Sequence, residues 1–221
     1  MLRRGPFRSR KGSFVKDEFA YVLDYMPYGN PLDKHPHHRR APVIQAIGSK
    51  WLALIEVEPL PNITPSIGER IPISTSPEIA GFRVSDRITY TDLTSVAREN
   101  LAHIVRKIVL EKERVFVEFF NVAEPINIRL HSLELLPGVG KKTLMLILSE
   151  RSKKPFESFE DIQKRVRIND PVKLIVDRIV KELQGEEKYY LFVEPFPRRQ
   201  DYVFLNYLRV LYDKTGYRDP W

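Results

Sequence analysis

The sequence predicts an α+β chain, a small β-barrel followed by an all-α domain. Residues 17–91 hold five short runs rich in β-formers, each bounded by Pro, Gly or Asn. From Leu93 onward the apolar residues recur every three or four positions, the spacing of a helix face. Two such periodic segments meet across Pro137-Gly138-Val139-Gly140, which reads as a tight turn between helices. The chain therefore divides into a basic, flexible tail (1–16), a barrel (17–91), a helical domain (92–187) and an aromatic-rich C-terminal segment (188–221).

The strand runs are Phe19 to Met26, Val43 to Ile47, Trp51 to Val57, Glu69 to Ser74 and Arg87 to Thr91. Five short strands suit a small barrel. The segment resembles an OB-fold, with an SH3-like barrel as the alternative. An OB-fold usually carries a helix between its third and fourth strands; this chain has a loop there with Pro59, Pro61 and Pro65. Trp51, Tyr21 and Tyr25 are read as barrel core ahead of base-stacking platforms.

The connection from Tyr28 to Pro42 is long and polar, with Lys34, Arg39 and Arg40. His35, His37 and His38 raise the question of a metal site. The chain has no Cys, Asp33 is the only carboxylate close in sequence, and Pro36 constrains the spacing. The reading is no metal, and a solvated basic loop that meets phosphate.

In the helical domain, Leu93, Ala97, Leu101, Ile104, Val105 and Ile108 form one stripe. Val115 to Phe120 is read as helix, although its alternation also suits a strand. Ser158 to Asp161 resembles a capping box, and the helix it opens ends near Arg167. Asp170 and Pro171 start another helix, which Gly185 ends. A last helix is expected from about Asp201 to Lys214, its aromatics docked on the body.

The most informative stretch is Leu130 to Ser149. An apolar-periodic helix (Leu130, Leu133, Leu135, Leu136) is expected before the turn and a second one after it. Lys141 and Lys142 fall in the first turn of the second helix, where the free N–H groups already make the end partly positive. Two ammonium groups there make sense beside an anion. Gly140 is expected to need φ > 0 or close approach of a ligand backbone. Leu135, Leu136, Pro137, Gly138, Val139, Gly140, Lys142 and Thr143 resemble the helix-hairpin-helix motif of nucleic-acid-binding proteins. That resemblance implies contacts from the hairpin amides to a backbone phosphate, with little base readout. A plain helical hairpin that only builds core is the alternative. Residues 158–185 look like a degenerate second hairpin without the paired glycines. The predicted all-α part is thus a double helix-hairpin-helix domain.

The formal net charge is +7, and Arg3, Arg4, Arg8, Arg10, Lys11 and Lys16 supply six units of it with no acid among them. The folded body is close to neutral, so a pull on nucleic acid comes from the tail and local patches. No apolar run approaches the ~20 residues of a membrane span. The absence of Cys and of a secretory signal points to a cytoplasmic protein. Together these features resemble the archaeal family of uncharacterised, predicted RNA-binding proteins with an OB-like domain before a helix-hairpin-helix domain. The resemblance covers roughly Lys16 to Pro195 and is most specific from His131 to Lys142. The reading is a non-enzymatic protein without cofactor that binds nucleic acid, RNA ahead of DNA; the ribosomal or rRNA-processing partners are what the resemblance alone implies. A nuclease or repair enzyme that docks through the hairpin, or a protein-interaction module, are the other readings. Oligomeric state is left open.

Overall fold

The computed structural model describes residues 17–74 and 81–220. The basic residues Arg3, Arg4, Arg8, Arg10 and Lys11 lie outside them. Five strands form one antiparallel sheet: β1 (Phe19–Met26), β2 (Val43–Gly48), β3 (Leu54–Pro59), β4 (Arg70–Pro72) and β5 (Phe82–Arg87), in the order β4-β1-β2-β3-β5. Placing β4 beside β1 gives the 4-1-2-3 order of a Greek key. A closed ring of five strands cannot be antiparallel throughout, because an odd count leaves one parallel pair. Here Ser74, just past β4, bridges Arg83 of β5 in parallel, and the sheet curls into a half-barrel.

Both faces of the sheet are covered, which explains the near-continuous apolar character of β1 and β2. Ala20, Val22, Ile44, Ala46, Ile55 and Val57 point into the curl and form one core. Tyr21, Leu23, Ile47 and Leu54 point outward and join a second core with the helices. The fifth strand lies earlier than Arg87 to Thr91. Tyr90–Asp92 is a 3-10 turn instead, closed by Asp92 Oδ2 accepting from the Thr89 amide at 2.8 Å. The third strand starts at Leu54 because Leu52 takes a left-handed φ of 58°.

Six α-helices follow among the described residues: α1 (Ser95–Glu111), α2 (Glu113–Val122), α3 (Lys141–Lys153), α4 (Phe159–Val166), α5 (Pro171–Gln184) and α6 (Tyr207–Thr215). Thr94 caps α1 by accepting from the Ala97 amide, and its hydroxyl donates to Asp24 of β1 at 2.7 Å. The buried stripe Ala97, Leu101, Ile104, Val105 and Ile108 then packs between β1 and α5. One apolar core therefore crosses the expected boundary at residue 91 without a break. Ser158 and Asp170 cap α4 and α5 through side-chain oxygens, and Arg167 and Gly185 end them in left-handed geometry.

The segment before the Pro-Gly turn is not an α-helix. Pro125–Asn127 (β6) and Leu130–His131 (β7) form a two-stranded ribbon, followed by one 3-10 turn, Ser132–Leu135. His131 Nδ1 accepts from the Leu133 amide, and Glu134 accepts from the His131 amide. These local bonds satisfy the backbone in four residues, and the ribbon takes up the length a longer helix would need. Near the C-terminus, Tyr189–Tyr190 (β8) pairs in parallel with Val203–Phe204 (β9), so α6 begins at Tyr207 and not at Asp201. The aromatics dock on the body, with Phe119 edge-on to Phe192 and Tyr207. Trp51, in the β2–β3 turn, packs edge-on to Tyr212 of α6 at 5.9 Å.

Candidate functional site

The Pro-Gly turn sits on the surface beside a concave region of about 440 Å³ lined by Glu134, Gly138, Gly140, Arg178, Lys181 and Glu187. Gly138 is the glycine that the turn needs, with φ of 89°. Gly140 does not meet the first of its two expected reasons, a positive φ. Its φ is −91°, ordinary extended backbone, and an added Cβ would meet nothing within 4 Å. The free protein therefore gives no conformational reason for glycine at 140.

Val139 turns inward and is buried, with its amide donating to Leu136 O at 3.0 Å. Gly140 is the N-cap of α3 and offers no side chain, and the first turn holds no acid. The amides that open α3 thus have no side-chain cap, and by helix geometry they have no partner within the helix. Thr143 is half-buried, while Lys141 and Lys142 are exposed. The two lysines differ in a way the sequence did not reveal. Lys141 Nζ pairs with Glu134 at 2.8 Å and donates to Arg129 O at 3.1 Å. That contact, with the His131 amide, holds the Glu134 carboxyl below its ordinary value.

The turn rests on a buried staple. Arg178 Nη1 donates to Leu135 O and pairs with Glu187, while Nη2 donates to Tyr189 O. Its Nε donates to Glu182 at 2.8 Å. Glu182 also accepts from the amides of Leu191, Phe192 and Val193 at 2.6–2.9 Å. The second helix pair is braced against α3 through Arg165, which donates to Glu150 O and Lys154 O.

The loop between β1 and β2 corrects the idea of a solvated basic strip. Gly29 (φ 83°) lets the chain fold back, since a Cβ there would lie 2.5 Å from His38 O. His38 is fully buried on the outer face of the sheet. Its Nδ1 lies 3.0 Å from Glu56 and 3.5 Å from Asp33, and its Nε2 3.3 Å from Glu58. Burial works against a charged His38, but these carboxylates outweigh it and hold the imidazole above its ordinary value. His35 lies against Asp33 and Glu56, both at 3.3 Å. Glu56 and Glu58 come from β3, some twenty residues away. Two acids at alternate positions of an otherwise apolar strand were the signal available for them.

Lys34 is tied to Asp92 at 2.9 Å, and Arg39 donates to Asp33 O at 2.7 Å, both still exposed; Arg40 is exposed too. Among the described residues no hydrogen bond or ion pair joins this loop to the Pro-Gly turn. The loop's partners lie on β3, on β5 and in the turn before α1, while those of the hairpin turn lie at 129–134 and on α5.

Residues 16–194 match the family described as "Protein of unknown function (DUF655)". The chain is 40% identical over 193 residues to "Uncharacterized protein MJ0038" of Methanocaldococcus jannaschii, covering 86% of this chain and 85% of that one. It is also similar to the crystal structure of Af1531 from Archaeoglobus fulgidus, with a TM-score of 0.72 at 43% identity over 80% of this chain and 100% of the other. Among the described residues no helix is long and apolar enough to cross a membrane. By extent of match and by identity alike, this chain belongs to the DUF655 family.

Proposed function

We propose that the chain is a non-catalytic nucleic-acid-binding protein of the cytoplasm, directed to RNA ahead of DNA. It contacts backbone phosphates through the turn Gly138, Val139, Gly140, Lys141, Lys142 and Thr143. The observation that carries this reading is an exposed helix start with no side-chain cap and no acid in its first turn, reached through a left-handed Gly138 and flanked by exposed Lys142. Amides and ammonium groups on one open surface suit a phosphate oxygen. Open space at Gly140 leaves room for a ligand backbone to approach. In this reading the turn with α3 serves as a helix-hairpin-helix whose first helix is reduced to one 3-10 turn, and α4–α5 is its partner. The Greek-key half-barrel serves as an OB-like platform, with Lys34, Arg39 and Arg40 on its rim. Arg3, Arg4, Arg8, Arg10 and Lys11 add contacts from the tail. Ribosomal or rRNA-processing assemblies are the partners this reading suggests.

The test is binding to labelled single- and double-stranded RNA and DNA across a salt series. Each phosphate contact adds about 0.9 to the slope of log K against log salt on duplex and about 0.7 on single strands. Removing residues 1–16 is expected to lower affinity and slope together; an unchanged slope would take the tail out of the interface. Incubation with magnesium or manganese is expected to leave the nucleic acid intact. Cleavage that one carboxylate substitution abolishes would put a nuclease in place of a binder.

A further inference from the structure

We propose that Asp33, His35, His38 and Glu56 bind one first-row divalent cation of the zinc class, and that this ion pins the β1–β2 loop to the barrel. Each residue offers one donor atom, and all four donors lie within 4.8 Å of one another. The nitrogen–oxygen separations are 3.3 Å from His35 Nδ1 to Asp33 Oδ1 and to Glu56 Oε2, 3.5 Å from His38 Nδ1 to the other Asp33 oxygen, Oδ2, and 3.0 Å from His38 Nδ1 to Glu56 Oε2. A tetrahedral ion with bonds of 2.0–2.1 Å needs ligand atoms about 3.3–3.4 Å apart. Three edges that share single donor atoms, His35 Nδ1 to Glu56 Oε2, His38 Nδ1 to Glu56 Oε2 and His38 Nδ1 to Asp33 Oδ2, already stand close to that spacing.

Three further observations point to a ligand. Asp33 is buried, and its Oδ2 has no hydrogen-bond donor, whereas its Oδ1 accepts from the His35 amide at 2.7 Å. An acceptor of this kind, buried among two imidazoles and a second carboxylate, is costly unless a cation meets it. The charges also balance, since two carboxylates and two neutral imidazoles neutralise one divalent ion. Finally, the outer atoms of the ligands are held as metal ligands usually are. His38 Nε2 lies 3.3 Å from Glu58, His35 Nε2 lies 3.7 Å from Asp86, and Gln45 Nε2 donates to the other Glu56 oxygen at 3.3 Å. Gln45 is fixed in turn, because its Oε1 accepts from the Thr94 amide at 2.8 Å.

The donor set selects the metal. Two imidazoles with two carboxylates suit zinc or its neighbours, and calcium and magnesium prefer oxygen alone. Four protein donors fill a tetrahedral shell, so the ion is structural. Fixing the loop also fixes Lys34, Arg39 and Arg40 on its outer side. The proposal stands on the cluster alone and is independent of the hairpin reading.

The full-length protein is stripped with a strong chelator and titrated with zinc, and separately with cobalt. The expected result is one ion per chain, a visible cobalt absorption of tetrahedral strength, and a Tm that rises by about 5 °C or more at a hundredfold excess over Kd. Glu56→Gln is expected to weaken zinc binding at least a hundredfold. His37→Ala is expected to leave it unchanged, because His37 belongs to a more open trio with His38 and Glu58. Circular dichroism of each metal-free variant checks that it folds, and Asp33→Asn repeats the test should Glu56→Gln fail to. A folded, stripped protein that takes up less than about a fifth of an equivalent of zinc overturns the proposal. Stoichiometric binding that survives Glu56→Gln and Asp33→Asn but falls with His37→Ala overturns it too, in favour of the open trio.

Discussion

The Pro-Gly turn and the histidine loop look alike in sequence, since both are polar, basic and bounded by Gly and Pro. The fold treats them in opposite ways. At the turn the backbone is open, the glycine at 140 touches nothing, and Lys142 stands in solvent. At the loop, Gly29 is pressed against backbone, His38 is buried, and the partners are acids. The difference teaches that a run of cations states nothing about its surroundings. What decides is whether the strand opposite supplies carboxylates. The turn has two, Glu134, which Lys141 covers, and Glu187, which Arg178 holds; the loop has five in Asp33, Glu56, Glu58, Asp86 and Asp92.

The largest test of this contrast is aimed beneath the turn. Glu182→Ala leaves Arg178 buried beside three amides without their acceptor. It is expected to cost about 3–5 kcal/mol in urea denaturation, with Glu182→Gln recovering part of it. A cost below about 1 kcal/mol would mean that the turn does not rest on this staple.

Asp17 is the control for the buried acids of the loop. It too has a buried orphan oxygen, but it accepts from the amides of Lys50 and Trp51 and has no imidazole. Burial pushes its pKa up to about 6 from an ordinary 3.8, with the two amides and Lys112 working against that rise. A raised folded pKa favours the protonated state on folding. Its contribution is therefore complete below pH 4 and is lost as pH rises to 6, by about 3 kcal/mol. Asp17→Asn is expected to remove that slope from the variant, so the difference between variant and parent stability changes by about 3 kcal/mol from pH 4 to pH 6. A parallel pair of curves would show that the side chain is hydrated.

Two glycine substitutions compare the regions directly. Gly29→Ala faces both a φ of 83° and a 2.5 Å contact with His38 O, and is expected to cost about 2–3 kcal/mol. Gly140→Ala meets neither obstacle and is expected to cost less than about 1 kcal/mol as an N-cap change. It should nevertheless weaken nucleic-acid binding roughly tenfold if a phosphate approaches there. Equal melting temperatures for the two variants would erase the contrast. The smallest effect separates the lysines. Lys142→Glu is expected to weaken binding roughly fivefold on every sequence alike with little change in Tm. Lys141→Glu also sets a like charge against Glu134, and should lower Tm slightly as well.

Much of this fold is legible because it is local. The bounds of β1 follow from β-formers stopped by Pro27, and α4 and α5 follow from Ser158, Asp170, Pro171 and Gly185. The stripe of α1 is correct nearly residue for residue. Two expectations failed where tertiary context decides. The periodicity of Leu130 to Leu136 suits a helix, but the β6–β7 ribbon and the bonds of His131 and Glu134 fix a single 3-10 turn. The strand expected at Arg87 to Thr91 gave way to a turn closed by Thr89 and Asp92. At the candidate sites, the turn is written in consecutive residues and can be read. The acid cluster around His38 cannot, because β3 brings Glu56 and Glu58 to it only through sheet pairing.

Trp51 has a use that follows from its place. It is one of two tryptophans in the chain, the other being Trp221. Its indole sits where the β2–β3 turn meets α6, edge-on to Tyr212, with Lys50 Nζ 5.3 Å above the ring. Indole emission responds to the polarity and neighbours of the ring, so Trp51 brightens, dims or shifts in colour as α6 lifts from the barrel. With Trp221 replaced by Phe, the molecule carries its own optical gauge of whether its first strands and its last helix are in contact.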